Sequence, residues 1–252
     1  MSGHSKWKTI QHKKGAADAK RGKIFSKLSK ELMLAARKGS DPATNPALRT
    51  VILKAKSANM PGENITRAIK KGAGELEGQT LEEIMFEAFV AGGVGLVILC
   101  LTDNRNRTTS EIRHILTKHG VNFAAQNSVS RGFARKGQIL IDARTVEEDK
   151  VMEVALNAGA EDMSRDGDHF EVITEPSAVS DVNEALEKAG IKPVSAEVAL
   201  IPLSYVKVED SEKAKAVMRF IADLEDHDDV QNVYTNMEMD DSLLKELETA
   251  QG

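Results

Sequence analysis

Six histidines, one cysteine, a glycine cluster and two sets of basic residues are the groups in this chain with usable chemistry. The histidines (His4, His12, His114, His119, His169 and His227) show no metal-binding spacing. His114 and His119 stand five positions apart, roughly 140° around a helix, so they cannot serve one ion from one face. Cys100 lies in the apolar run Val94–Leu101; alone it makes no internal disulfide, and it reads as a small core residue. Gly92-Gly93-Val94-Gly95 lacks the Lys-Ser/Thr of a phosphate loop and falls between two strand-like runs, where it marks a hairpin turn. No nucleophile stands beside a base, and no paired carboxylates emerge, so the sequence presents no catalytic residue and implies no metal and no cofactor.

The basic residues are more informative. Lys6, Lys8, Lys13, Lys14, Lys20, Arg21, Lys23, Lys27 and Lys30 crowd the first 30 positions, with Trp7, His4 and His12 interleaved. Lysine and arginine contacts to phosphates release counterions, so such a segment binds nucleic acid with strong salt dependence. Trp7 either stacks on a base or anchors the segment to the protein. The second set is Thr102-Asp103-Asn104-Arg105-Asn106-Arg107-Thr108, between a strand end and a helix start. Free amides there attract anions, and Arg105 and Arg107 add charge-assisted contacts to phosphate. The alternative is a capped turn whose arginines pair with local acids.

Charge is unevenly spread. Residues 1–71 hold 17 Lys and Arg against four acids, a balance of +13. Residues 72–136 hold seven of each sign, and residues 137–252 hold 10 basic against 28 acidic residues, so the net of −5 describes neither end. A polyanion-binding end is joined to one that polyanions repel. Aromatics make up 4% of the chain, which argues against a base-stacking sheet rich in Phe and Tyr. The first 20 residues carry no signal-peptide core, and the most apolar run is 8 residues long, far short of the ~20 needed to span a bilayer. With one cysteine, a reducing, cytoplasmic setting is the expectation.

The elements that position these residues follow from periodicity. Phe25, Leu28, Leu32 and Ala36 recur at helical spacing within 18–37, and Asn45-Pro46 and Pro61 open two more short helices. Glu83–Val90 and Val94–Thr102 read as a hairpin, Thr108-x-x-Glu111 as a capping box opening a helix to His119, and Ser128–Arg135 as a strand. Residues 137–202 then read strand (Gln138–Asp142), helix (Val146–Asn157), strand (Ala160–Ser164), strand (His169–Thr174), helix (Ala178–Lys188) and strand (Ala196–Ile201), the ferredoxin-like order. A helix (Ser211–Leu224) and a strand (Val230–Met237) follow. The expected class is α+β: a three-helix bundle followed by two α/β domains, one ferredoxin-like and inserted in the other. The boundaries are 1–78 for the basic arm and bundle, 79–136 plus 203–240 for the discontinuous middle domain, 137–202 for the insert and 241–252 for a tail.

Gly3-His4-Ser5-Lys6-Trp7, His12-Lys13-Lys14, Asp18-Ala19-Lys20-Arg21-Gly22-Lys23-Ile24-Phe25, Asn59-Met60-Pro61, Ile69-Lys70-Lys71-Gly72 and Thr102–Thr108 resemble the signature blocks of the YebC family, which includes the mitochondrial translational activator of cytochrome c oxidase. The resemblance runs from Ser2 to about Met237. It implies three domains around a cleft and a role long labelled transcriptional regulation, better described for much of the family as ribosome-associated help to elongation at difficult sequences. Two segments depart from the pattern: Glu87-Ala88-Phe89-Val90-Ala91-Gly92, where Glu-Gly-Tyr-Gly-Pro-Gly is usual, and Asn122–Val129, where glycines are usual before Ser-Val. A start directly at the family motif suggests a bacterial cytoplasmic member. The expected partners are ribosomal RNA and tRNA, with basic ribosomal proteins facing the acidic domains; the alternative is promoter DNA bound by a transcriptional regulator. No membrane partner is expected.

Overall fold

The computed structural model describes residues 18–77, 80–90 and 92–239, with side chains from residue 21 onward. The chain divides into two compact units. One comprises residues 18–77 and 135–200, the other 80–134 and 201–239.

In the first unit, α1 (Asp18–Ala36), α2 (Pro46–Ser57) and α3 (Gly62–Gly72) enclose Leu28, Leu32, Ala36, Leu48, Ala55, Met60, Ile65 and Ala68. Asn45 serves two helices at once. Its Oδ1 accepts from the Leu48 amide at 3.1 Å, while its Nδ2 donates to the Ala35 and Gly39 carbonyls at 2.9 and 2.7 Å. The start of α2 is thus capped by the residue that satisfies the end of α1. Where α3 ends, a Cβ on Gly72 would stand 2.2 Å from the Met33 carbonyl oxygen, so only glycine permits this approach.

The remainder of this unit is a four-stranded sheet with two helices. The elements are β3 (Phe133–Asp142), α5 (Glu148–Asn157), β4 (Ala160–Asp166), β5 (His169–Thr174), α6 (Val179–Lys188) and β6 (Pro193–Pro202), and the spatial order is β4-β5-β3-β6. This is the ferredoxin-like arrangement. Ile139, Ile141, Phe170 and Val172 line one face with Val151, Ala155, Val182 and Leu186 from the helices. The bundle docks on the sheet domain through α2. Thr50 and Ser180 hydroxyls meet at 3.1 Å in a buried contact, Arg49 reaches Asp181 at 3.5 Å, and Lys54 bridges Glu31 at 3.0 Å and Glu197 at 3.2 Å.

The second unit carries β1 (Glu82–Phe89), β2 (Gly95–Thr102), α4 (Arg105–Lys118), β7 (Val206–Lys207), α7 (Ser211–Glu225), β8 (Val230–Thr235) and β9 (Met237–Glu238). An antiparallel sheet runs β1-β2-β8, and β7 pairs with β9 in parallel. β2 is its buried centre, and Cys100 sits there fully buried. Among the described residues, no helix is long and apolar enough to cross a membrane. The architecture is α+β, as the patterning implies.

Three local expectations are corrected. The separate strand over Ser128–Arg135 does not form; a 3-10 turn at Ser130–Gly132 leads into one ten-residue strand, β3, that absorbs the expected Gln138–Asp142. The last strand is split at Asn236, whose Oδ1 accepts from the Gly95 amide at 2.8 Å. Helix α4 begins three residues before the supposed capping box, with Asn104 as its cap.

Replacing Gly72 by alanine should destabilise the protein by roughly 1–3 kcal/mol through overpacking. Gly62→Ala has open space around its Cβ and should leave the thermal midpoint within about a degree or two or raise it slightly. Thermal unfolding followed by circular dichroism measures both; a Gly72→Ala melt superposing on wild type contradicts the packing.

Candidate nucleic-acid interface

Of the residues expected to meet nucleic acid, Lys6, Trp7, Lys8, His12, Lys13 and Lys14 lie outside the described residues. Lys20 lies within α1, but its side chain is likewise outside them. Arg21 and Lys23 are exposed on α1, and Lys27 is half-buried one turn on. Glu31, the acid further along this helix, is bound to Lys54 through both carboxylate oxygens, at 3.0 and 3.1 Å.

The Thr102–Thr108 segment is a capped and paired turn. The Asn104 amide donates to Thr102 Oγ1 at 2.9 Å, and Asn104 Oδ1 accepts from the Arg107 amide at 3.1 Å. Asp229, 4% exposed, lies behind it. Its Oδ2 accepts from Arg107 Nη2 at 2.9 Å and from Thr108 Oγ1 at 2.7 Å. Arg107 also reaches Asp103 at 3.0 Å, and Arg105 meets Glu82 at 3.4 Å. The structure thus brings Arg105 and Arg107 to one helix start, yet each is turned to an acid of its own unit. The basic residues of α1 belong to the other unit.

Glu111, His227 and Asp229 offer oxygen and nitrogen atoms within 4.8 Å of one another. Their hydrogen bonds already commit those atoms. The Asp229 amide donates to His227 Nδ1 at 3.1 Å, which leaves the ring proton on Nε2, facing Glu111 Oε2 at 2.9 Å. With Arg107 and Thr108 on Asp229, the group is a hydrogen-bonded brace between α4 and the segment before β8.

The segments Glu87–Gly92 and Asn122–Val129 are bonded to each other. The Glu87 carboxylate, 4% exposed, accepts from the amides of Asn127 at 2.7 Å, Val129 at 2.6 Å and Ser130 at 3.0 Å, and from Ser130 Oγ at 2.9 Å. Phe123 stacks on Phe86 with ring centroids 5.0 Å apart, and Arg113 covers it at 5.5 Å. Burial pushes the Glu87 carboxyl up, but the bonds from Ser130, Val129 and Asn127 together outweigh it and hold the group below its usual 4.5. Sequence reasoning missed this cradle because its partners stand 40 or more positions away.

Two predictions follow from these carboxylates. Glu87→Gln should destabilise by roughly 1–3 kcal/mol at pH 7. A depressed native value stabilises the fold above 4.5, the unfolded value, and that contribution disappears as pH falls through the lower native value. The gap between wild-type and Glu87→Gln melts should therefore narrow below pH 4.5; a gap constant down to acid pH contradicts the cradle. Asp229→Ala should cost roughly 1–3 kcal/mol by removing the buried acceptor that Thr108 and Arg107 share, less than for a fully buried pair because Arg107 keeps water on one side and Thr108 Oγ1 retains Thr102 Oγ1 at 2.8 Å. Urea unfolding reads that loss, and an unchanged midpoint would count against the brace.

Comparison with known proteins places this geometry. A family model described as the TACO1/YebC protein N-terminal domain matches residues 5–75, and one described as the TACO1/YebC second and third domain matches residues 81–237. A probable transcriptional regulatory protein of Desulfotalea psychrophila is 50% identical over 98% of this chain and 99% of its own length. A protein of the same description from Acidobacterium capsulatum is 51% identical over 95% of this chain and 97% of its own. A crystal structure of a conserved hypothetical protein from Aquifex aeolicus superposes with a TM-score of 0.82 at 48% identity, covering 92% of this chain and 96% of that one. With both models matched in order and relatives at this identity along nearly its full length, the chain belongs to the TACO1/YebC family.

Proposed function

We propose that this chain is a non-enzymatic translation factor of the cytoplasm that binds ribosomal RNA, and tRNA beside it, through its basic N-terminal region. It would assist elongation at difficult sequences by favouring a productive ribosome geometry. The observation that carries the reading is the concentration of positive charge before residue 72, with Arg21 and Lys23 exposed and Glu31 neutralised by Lys54. Lys6, Trp7, Lys8, His12, Lys13, Lys14, Lys20 and Lys27 complete the proposed contact set. Arg105 and Arg107 hold a lesser place in it, because acids of the same unit engage them. The acidic domains would face basic ribosomal proteins or solvent. Kinship with the mitochondrial translational activator supports the same reading.

A second reading, a DNA-binding transcriptional regulator, draws on the relatives described as probable transcriptional regulatory proteins. It also draws on the four-residue connection Ala58–Pro61 between α2 and α3, a length found in helix-turn-helix modules. Such a regulator should prefer its promoter over random DNA by roughly 10³ or more, and a ratio near one leaves only electrostatics.

The test is sedimentation with ribosomes. Wild-type protein should co-sediment at low salt and dissociate as salt rises. Reversing the charge at Lys13, Lys14, Lys20 and Arg21 should abolish co-sedimentation, and unchanged binding of that variant overturns the proposal.

A further inference from the structure

The cations of the bundle fall into two groups once their partners are known. Lys54 is spent on Glu31 and Glu197, and Arg49 on Asp181. Arg37, Lys38, Lys70 and Lys71 are exposed and make no ion pair with any described residue. They also lie together. Gly72, the last residue of α3, abuts Met33 in the last turn of α1, so the two helices finish side by side. Lys70 and Lys71 stand in the final turn of α3, and Arg37 and Lys38 directly follow Ala36 at the end of α1.

A single cation near a helix C-terminus complements the helix dipole. Here each of two adjacent ends carries two, and the surplus pair repels the first without an acid to offset it. The nearest acids in sequence, Asp41 past α1 and Glu75 and Glu77 past α3, are exposed and ion-pair with none of the four among the described residues. Four unpaired cations on one rigid end suit a closely spaced row of anions better than a single small anion. A nucleic-acid backbone supplies that spacing.

We infer that the C-terminal end of the bundle, Arg37 and Lys38 with Lys70 and Lys71, is a phosphate-contacting surface for RNA. It is additional to the contact set of the N-terminal segment and the first half of α1. The inference rests on the RNA-binding reading above and assigns part of that binding to a place. RNA would engage the bundle at this end through its backbone, without reading base identity.

The experiment measures binding of the full chain to deproteinised ribosomal RNA across a salt series. Each phosphate contact contributes ~0.7 to 0.9 to the slope of log affinity against log salt. Changing all four residues to alanine should flatten that slope by about 3 and lower affinity about tenfold or more at low salt. The pairs Arg37→Ala with Lys38→Ala, and Lys70→Ala with Lys71→Ala, should each remove about half of it, which keeps the test open if the fourfold variant folds poorly. Lys150→Ala with Lys192→Ala, exposed cations of the acidic region, should leave the slope unchanged. A steep wild-type slope retained by both double variants overturns the inference and leaves the RNA-binding reading standing. A wild type that does not bind ribosomal RNA overturns that reading, and the inference with it.

Discussion

A carboxylate withdrawn from water costs several kcal/mol unless cations or N–H donors surround it, and that requirement decides where this protein's positive charge is spent. Asp229, at 4% exposure, draws Arg107 and Thr108 to the start of α4. Glu31 and Glu197 share Lys54. Among the described residues Glu87 forms no ion pair, and its carboxylate is satisfied by three backbone amides and a hydroxyl.

The same requirement changes the meaning of the charge asymmetry. A basic N-terminal region and an acidic remainder look, in sequence, like two ends that meet different partners. In the folded chain the bundle and the ferredoxin-like sheet belong to one compact unit, joined by Arg49 to Asp181 and Lys54 to Glu197 around the buried Thr50–Ser180 contact. Part of the opposite charge therefore serves the docking of α2 on α6. Outside this docking, Arg37, Lys38, Lys70 and Lys71 stand exposed at the ends of α1 and α3.

Much of this was legible in the sequence where the cause is local. Asn45-Pro46 marks a helix start because capping and a fixed φ act within four residues. The β-α-β-β-α-β order survives because alternation and helical period are read over short windows, and Cys100 is core because its run is apolar throughout. What failed depends on distant partners. Thr108 looks like an N-cap in sequence, yet its hydroxyl is bound to Asp229, 121 positions away. Ser128–Arg135 looks extended, yet Glu87 folds its first half into a turn from 43 positions away. Arg105 and Arg107 could be picked out as arginines at a helix start, but Glu82 and Asp229 could not be assigned to them without the fold.

The exposed basic residues of the N-terminal region carry the RNA-binding role proposed above. The measurement closest to that claim is crosslinking of the protein to RNA in living cells with the crosslinked nucleotides mapped. Sites clustered in ribosomal RNA, attached through the basic N-terminal region, are the predicted result. An absence of ribosomal RNA sites alongside occupancy of promoter DNA would contradict it.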